Sequence, residues 1–493
     1  MNITIIGAGI GGLSCAARLA AAGHEVHVYE KNSIPGGRAH LIEQDGYSFD
    51  TGPTILMMLD PLKELFSDLG EDINEYLELI QLEPNYQVRW ENGEQITVSS
   101  NMARFGEELE RFETGASAQF YKYFAKQAEL YRLAEKRFID RNFDKVTDFI
   151  SPFSALQLLK MGVLGRLAPF ARRYFKNEKL VQLFTFQSMY LGVSPYDAPA
   201  VYSIISYMET GKGIWYPKGG MHALPRALEK LCKSKGVTFH YDTAVSEIAV
   251  VDGAVTGVIL DNADFIKADK VVANADLPYV YTELLKAEDH PKTSNESLAK
   301  KKQASSAVLF YWGVDANLEG LLHHNVYLSE NFKQNLDSIF HEGIVPVDPS
   351  FYLYVPTKSD PNLAPKGKHI LYVLVPVPNI ATDVDWDIEV PRIKQWVLEH
   401  LKSHFDLDVE KQIESEAIFK PQDFKERFNL TDGSAFGLSH TFFQTGAFRP
   451  RNKDRDIDGL FFAGASTTPG SGVPMVLLSG KHAAQRILQE EKE

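Results

Sequence analysis

The chain opens on a β-branched run, Asn-Ile-Thr-Ile-Ile from Asn2, the pattern of a buried parallel strand. A glycine-rich break at 7–12 follows, then an alanine-rich stretch over 13–22 that predicts a helix ending at Gly23. Residues 24–29 predict a second strand that ends on Glu30. Leu62, Leu65, Phe66 and Leu69 recur at helical spacing, which predicts a solvated amphipathic helix within 61–82. Residues 86–98 predict a β-hairpin around Glu-Asn-Gly-Glu, and 105–138 a helical, aromatic-rich segment. There Phe120, Tyr121, Tyr123, Phe124 and Tyr131 suit a core or the lining of an apolar channel.

Further on, the pattern predicts a helix over 222–234, a strand over 237–240, a hairpin over 243–260 around Asp252-Gly253, and a buried strand over 270–273. Strand patterns at 306–314, 351–355 and 370–377 are enough for a sheet that could wall an apolar cavity. A helix is predicted over 393–405, a strand over 459–465 and a last helix over 476–488. With 493 residues, the chain exceeds what one hydrophobic core organises, and two domains are expected.

Chemistry enters at the first break, Gly7-Ala8-Gly9-Ile10-Gly11-Gly12. Gly7 permits the tight turn, Gly9 lets backbone approach a pyrophosphate, and Gly12 lets the helix pack closely on the strand. Glu30, 18 residues after Gly12, stands where an acid takes the ribose hydroxyls of an adenosine. Strand, turn, helix and acid together indicate dinucleotide binding. A second cationic glycine turn, Gly36-Gly37-Arg38, follows, where a nicotinamide domain would run into another crossover helix.

Here the sequence resembles a known family. Glutamate, short spacer and Gly-Gly-Arg are similar to the FAD entry of the amine-oxidase and phytoene-desaturase superfamily. Further matches are Phe49-Asp-Thr-Gly-Pro-Thr-Ile-Leu-Met57, Lys218-Gly-Gly-Met, Gly433-Ser-Ala-Phe-Gly, Phe448-Arg-Pro and the ending. That ending places Gly464-Ala465 after an apolar strand, then Pro-Gly-Ser-Gly-Val-Pro before a helix. It resembles the bacterial phytoene and diapophytoene (dehydrosqualene) desaturases; amine oxidases more usually carry Gly-Asp where Gly464-Ala465 stands.

The resemblance implies an α/β fold: a Rossmann-type FAD-binding domain formed by 1–70, 218–275 and 436–493, with an interleaved α+β substrate and membrane-facing domain from 71–217 and 276–435. It implies FAD contacts from Gly7, Gly9, Ile10, Gly11, Gly12, Glu30, Lys31, Gly36, Gly37, Arg38, Gly52, Pro53 and Thr54. Val245 is carried over to the adenine, and Gly464, Ala465, Val473, Pro474 and Met475 to the ribityl chain and isoalloxazine. The implied reaction desaturates a colourless C30 or C40 polyene, with hydride transfer from an allylic carbon to flavin N5. Glu209 matches an acid of the family and is the one candidate base, although a surface salt bridge suits it better. The single dinucleotide fingerprint leaves no second site for NADPH, so oxygen or a membrane quinone is the expected electron acceptor. A carotenoid oxidase acting on terminal methyl groups, an amine oxidase and a non-catalytic isoprenoid-binding escort protein share the architecture.

Charge and composition narrow the partners. A net charge of −14 argues against nucleic acid. Between Ser154 and Lys176 the sign reverses, with Lys160, Arg166, Arg172, Arg173 and Lys176 among leucines and no acid. This segment suits either the headgroup layer of anionic lipid or a charged helix pair of the substrate domain. Cys15 and Cys232 have no metal or redox spacing. His400 and His404 share a helix face without a third ligand, so no metal is expected. A strand beginning at Asn2 leaves no room for a signal segment, and no apolar run approaches the ~20 residues of a membrane span. The expected location is cytoplasmic, peripheral to a membrane.

Overall fold

The computed structural model describes residues 1–135, 139–142, 165–291, 293 and 295–492. Five parallel strands form one sheet, in the order Leu460–Phe462, Lys270–Ala273, Asn2–Ile6, Glu25–Tyr29, Thr238–His240. Helices Ile10–Ala21, Ala223–Ser234 and Val473–Glu490 cover one face, and their leucines and alanines share a core with Ile3, Ile5, Val26 and Val28. The other face meets an antiparallel three-stranded sheet, Val245–Val251, Ala254–Leu260 and Phe265–Lys267. Burial on both faces explains why the first strand reads as an unbroken β-branched run rather than an alternation.

A second sheet of seven strands runs in the order Ile413–Phe419, Ser306–Val314, His369–Val377, Phe351–Tyr354, His324–Leu328, Tyr86–Trp90, Gln95–Val98. All its neighbours are antiparallel except His324–Leu328 beside Tyr86–Trp90. Ser306–Val314 is buried at every position. Val308, Phe310, Trp312 and Val314 face helix Trp386–Phe405, while Ala307, Leu309 and Tyr311 face an aromatic core with helices Met102–Glu110 and Ala116–Ala134.

Several expectations change. The helix expected within 61–82 is only Asp60–Asp68, and Leu62, Leu65 and Phe66 are fully buried rather than solvated. Leu79–Leu82 is a strand, drawn into antiparallel pairing with Ile214–Pro217. The 105–138 pattern is two helices split near Gly115. Phe120, Tyr123 and Tyr131 are core, and Tyr121 is exposed. His400 and His404 stack ring on ring at 5.1 Å, with the His400 Nδ1 against the Trp396 carbonyl, and no group of possible metal ligands exists among the described residues.

The basic segment falls partly outside the described residues, which exclude 143–164. In its described part Leu167 and Phe170 are buried, Arg172 pairs with Glu178 at 2.8 Å, and Arg166, Arg173 and Lys176 are exposed. Among the described residues no helix is long and apolar enough to cross a membrane.

Candidate functional site

One cavity of about 1240 Å³ runs from the tip of the parallel sheet to the inner face of the seven-stranded sheet. That exceeds the roughly 300–1,000 Å³ of ordinary small-molecule sites. All the predicted contact residues except Gly12 and Glu209 line it.

At the sheet tip the glycines crowd one side chain that the sequence pattern did not single out. Asn274 follows the strand Lys270–Ala273, and its Nδ2 donates to the Gly7 carbonyl at 3.2 Å. A Cβ at Gly7 would lie 2.7 Å from the Asn274 carbonyl oxygen, and one at Gly9 2.6 Å from its Nδ2. Gly7 also holds φ at +93°. Gly12 stands behind the wall: its Cβ would meet the Gly7 carbonyl at 2.5 Å, so it serves helix-on-strand packing. Glu30 is buried at the end of its strand. It accepts from the Ala8 amide at 2.8 Å and from the Asn32 amide at 2.9 Å, which braces the turn from the side.

The second turn closes over the first, with Gly36 bridged to Gly9. A Cβ at Gly36 would strike the Ala39 carbonyl at 2.2 Å. Arg38 lines the cavity, donates to the Ala435 carbonyl at 3.0 Å and faces Asp276, whose carboxylate also accepts from Thr431 and Ser466. Lys31 lines the cavity too, but its ammonium donates to Asn429 Oδ1 at 2.7 Å. Asp50, from the Phe-Asp-Thr-Gly-Pro match, is not on the wall. It accepts from the Met221 and His222 amides, both at 2.9 Å, and so holds the Lys218-Gly-Gly-Met turn; burial raises its pKa to about 6.

The last helix starts on the same cavity, with Gly472, Val473, Pro474 and Met475 on the wall. Its N-terminus and that of Ile10–Ala21 carry no side-chain cap and no acid in the first turn. Two sets of unsatisfied amides therefore point their positive ends into one cavity. Behind them Arg449 is fully buried and donates to the carbonyls of Leu438, Gln444, Ala465 and Thr467, tying the turn at 464–467 to the loop at 438–444. Burial lowers its pKa to about 10.

The far half of the cavity is apolar. Leu309, Val326 and Leu374 come from the seven-stranded sheet, and Phe332, Leu336 and Ile339 from the segment that follows His324–Leu328. Few polar groups interrupt it. The Tyr352 hydroxyl donates to Thr54 Oγ1 at 2.9 Å and meets His324 Nδ1 at 2.6 Å.

Glu209 is neither at the surface nor in a salt bridge. Fully buried in the turn Met208–Lys212, it accepts from the Tyr86 hydroxyl at 2.9 Å and Gln187 Nε2 at 3.1 Å. Its Oε1 has no partner, and desolvation raises its pKa to about 7. It sits behind the wall, next to Tyr190, which lines the cavity. The turn tucks under the hairpin strand Tyr86–Trp90, a contact between residues more than a hundred positions apart that local sequence does not display.

These features fit FAD. A cradle of bare backbone, two uncapped helix ends and the Arg38 guanidinium suit a pyrophosphate, and the cavity has room for substrate beyond it.

Comparison with known proteins agrees. Residues 10–488 match the family model of the flavin containing amine oxidoreductases. A zeta-carotene-forming phytoene desaturase of Myxococcus xanthus is 41% identical, over 99% of this chain and 94% of its own. A 4,4'-diapophytoene desaturase (4,4'-diaponeurosporene-forming) of Staphylococcus haemolyticus is 37% identical, with 99% of each chain covered. Among solved structures, an oxidoreductase from Methanosarcina mazei superposes with a TM-score of 0.67 at 19% identity, covering 99% of this chain and all of that one. A Rab GDI from Plasmodium falciparum superposes at 0.56 with 14% identity, covering 99% of this chain and 97% of that one, a likeness of fold alone. By a match along nearly its whole length, the chain belongs to the flavin-containing amine oxidoreductase family, with FAD as cofactor, and within it to the carotenoid desaturases.

Proposed function

We propose that this protein is an FAD-dependent desaturase of a colourless C30 or C40 polyene in carotenoid biosynthesis. The observation that carries the reading is the single cavity whose one half is bare backbone and cations and whose other half is apolar. Such a shape suits a dinucleotide laid end to end with a hydrocarbon. The full-length relatives are desaturases, and desaturation removes two hydrogens from neighbouring carbons: one C–H leaves as hydride and the other as a proton. When bound, FAD supplies the two-electron acceptor.

The chain's own part is to hold and to keep dry. Arg38 and the two helix ends bind the diphosphate, Glu30 takes the ribose, and Val245 covers the adenine. Gly464, Ala465, Val473, Pro474 and Met475 lie along the ring system. Residues 1–70, 218–275 and 436–493 form the cofactor domain, and 71–217 with 276–435 the substrate domain. Glu209, poised near neutrality by burial, receives the proton through Tyr190 rather than by contact with substrate. Oxygen or a membrane quinone reoxidises the flavin, and the protein works at the cytoplasmic face of a membrane.

The test is expression in hosts that make either diapophytoene or phytoene, followed by absorption spectra of extracted lipid. A new banded visible spectrum is expected from one host, and that host identifies the substrate length. Unchanged colourless precursor in both, with flavin bound, would replace this reading by carotenoid oxidation.

A further inference from the structure

Three exposed phenylalanines stand together, whereas among the other described Phe, Tyr and Trp residues only Tyr121 and Phe265 are exposed. Phe442, Phe443 and Phe448 are 48%, 75% and 43% exposed, and their rings pack only 5.3 to 6.4 Å apart. Phe442 and Phe448 are also cavity wall, together with Thr445 and Gly446, so the cavity reaches the surface between these rings. An apolar patch at an opening marks an interaction site.

The loop that carries the patch is firmly held. Arg449 donates to the Gln444 carbonyl at 3.1 Å, and the Tyr202 hydroxyl lies 2.9 Å from Thr445 Oγ1. Gln444 exchanges two bonds of 2.8 Å with the backbone of Lys302. That pairing places the run Lys300-Lys301-Lys302 beside the phenylalanines, with Lys300 and Lys302 exposed and Lys300 also paired with the exposed Glu296 at 2.6 Å. No acid occurs from Gly433 to Lys453. Cationic side chains thus border an aromatic patch in a chain of net charge −14.

We infer that this face docks on an anionic bilayer, with the phenylalanines among the acyl boundary and the lysines at the headgroups, so that the cavity opens directly into lipid. Aromatic rings and lysines at one level suit the interface chemically, and the charge sign selects anionic over zwitterionic lipid. The inference rests on the desaturase reading for its purpose, since a polyene substrate resides in the bilayer. It places the docking face at these phenylalanines rather than at 154–176, whose described apolar side chains Leu167 and Phe170 are buried.

The test uses flavin-loaded protein and vesicles of phosphatidylglycerol or phosphatidylcholine. Co-sedimentation with the anionic vesicles is expected to fall at least about tenfold in a Phe443→Ser, Lys300→Gln, Lys302→Gln variant. None of the three lines the cavity, so flavin content and turnover of detergent-dispersed polyene should hold. Arg172→Glu with Arg173→Glu should keep vesicle binding. Phe443→Cys carrying an environment-sensitive fluorophore should shift to the blue on anionic vesicles; Cys15 and Cys232 are buried and will not label. Equal binding by wild type and triple variant, no spectral shift, or binding lost only in the Arg172/Arg173 variant would overturn the inference. So would a dimer that dissociates on Phe443→Ser, which would assign the patch to a second copy. If no form converts polyene while these binding results stand, docking holds and the desaturase reading falls.

Discussion

The two halves of the cavity are built by different rules. The cofactor half is made largely of backbone. Its glycines are demanded by atoms a few ångströms away, above all Asn274 against Gly7 and Gly9, and its polar side chains brace turns. The apolar half is made of hydrophobic side chains, brought from the seven-stranded sheet and the segments around it. The first recognises by direction, because amide donors and guanidinium forks must point. The second recognises by shape and dryness, which many apolar combinations can supply.

If that contrast is right, changes in the cofactor half should abolish flavin binding, and changes in the other half should leave flavin in place and alter the product. The largest effect is expected for Arg449→Met. It leaves up to four carbonyls without their donor, at roughly 1–3 kcal/mol for each that stays buried and unpaired. Loss of bound flavin and at least about 3 kcal/mol of stability by denaturant titration should follow, with partial rescue by Arg449→Lys.

Glu209 tests the boundary between the halves. Burial raises its pKa from 4.5 to about 7, so the unfolded chain ionises first as pH rises. Its stabilising contribution is therefore complete below about pH 4.5 and lost through pH 7, on the order of 3 kcal/mol in all. In Glu209→Gln the stability difference from wild type should show that slope, with flavin retained and the pH profile of turnover flattened near neutrality. Parallel stability profiles for the two proteins across pH 4–8 would remove Glu209 from any proton-holding role.

Glu30→Ala comes next. Charge-assisted hydrogen bonds contribute about 1.5–3 kcal/mol, so FAD should dissociate roughly 10- to 100-fold more readily on dialysis. Unchanged retention would reduce Glu30 to a brace for Ala8 and Asn32. The smallest effect belongs to the apolar half: Ile339→Val should cost about 1 kcal/mol, keep full flavin absorbance and shift the distribution of desaturated products. Loss of flavin in that variant would erase the contrast between the two halves.

The same contrast explains what could be read before the fold was known. Gly7, Gly9, Gly36 and Gly37 were legible because a backbone that must approach another backbone leaves its mark on consecutive residues. So were the strands Asn2–Ile6, Lys270–Ala273 and Ser306–Val314, whose burial on both faces shows as unbroken apolar runs. Asn274 and Asp276 were not singled out, and Arg449 stood out only within the Phe448-Arg-Pro match with no role attached, because a lone polar residue in a loop has no periodicity and its partners lie far along the chain. Glu209 was misplaced to the surface for the same reason: its burial depends on Tyr86 and Gln187.

Taken alone, then, the sequence determined the dinucleotide turn, the parallel sheet that carries it and the family resemblance of its matched motifs, since all three rest on local spacing. Only the tertiary structure decided that the cofactor cradle and the apolar half are one cavity, that Glu209 is buried behind Tyr190, and that the cavity opens between Phe442 and Phe448 beside the lysines. Those are facts of long-range packing. Sheet pairing and loop closure bring distant residues together, and hydrophobic pattern specifies that a face is buried without specifying against what.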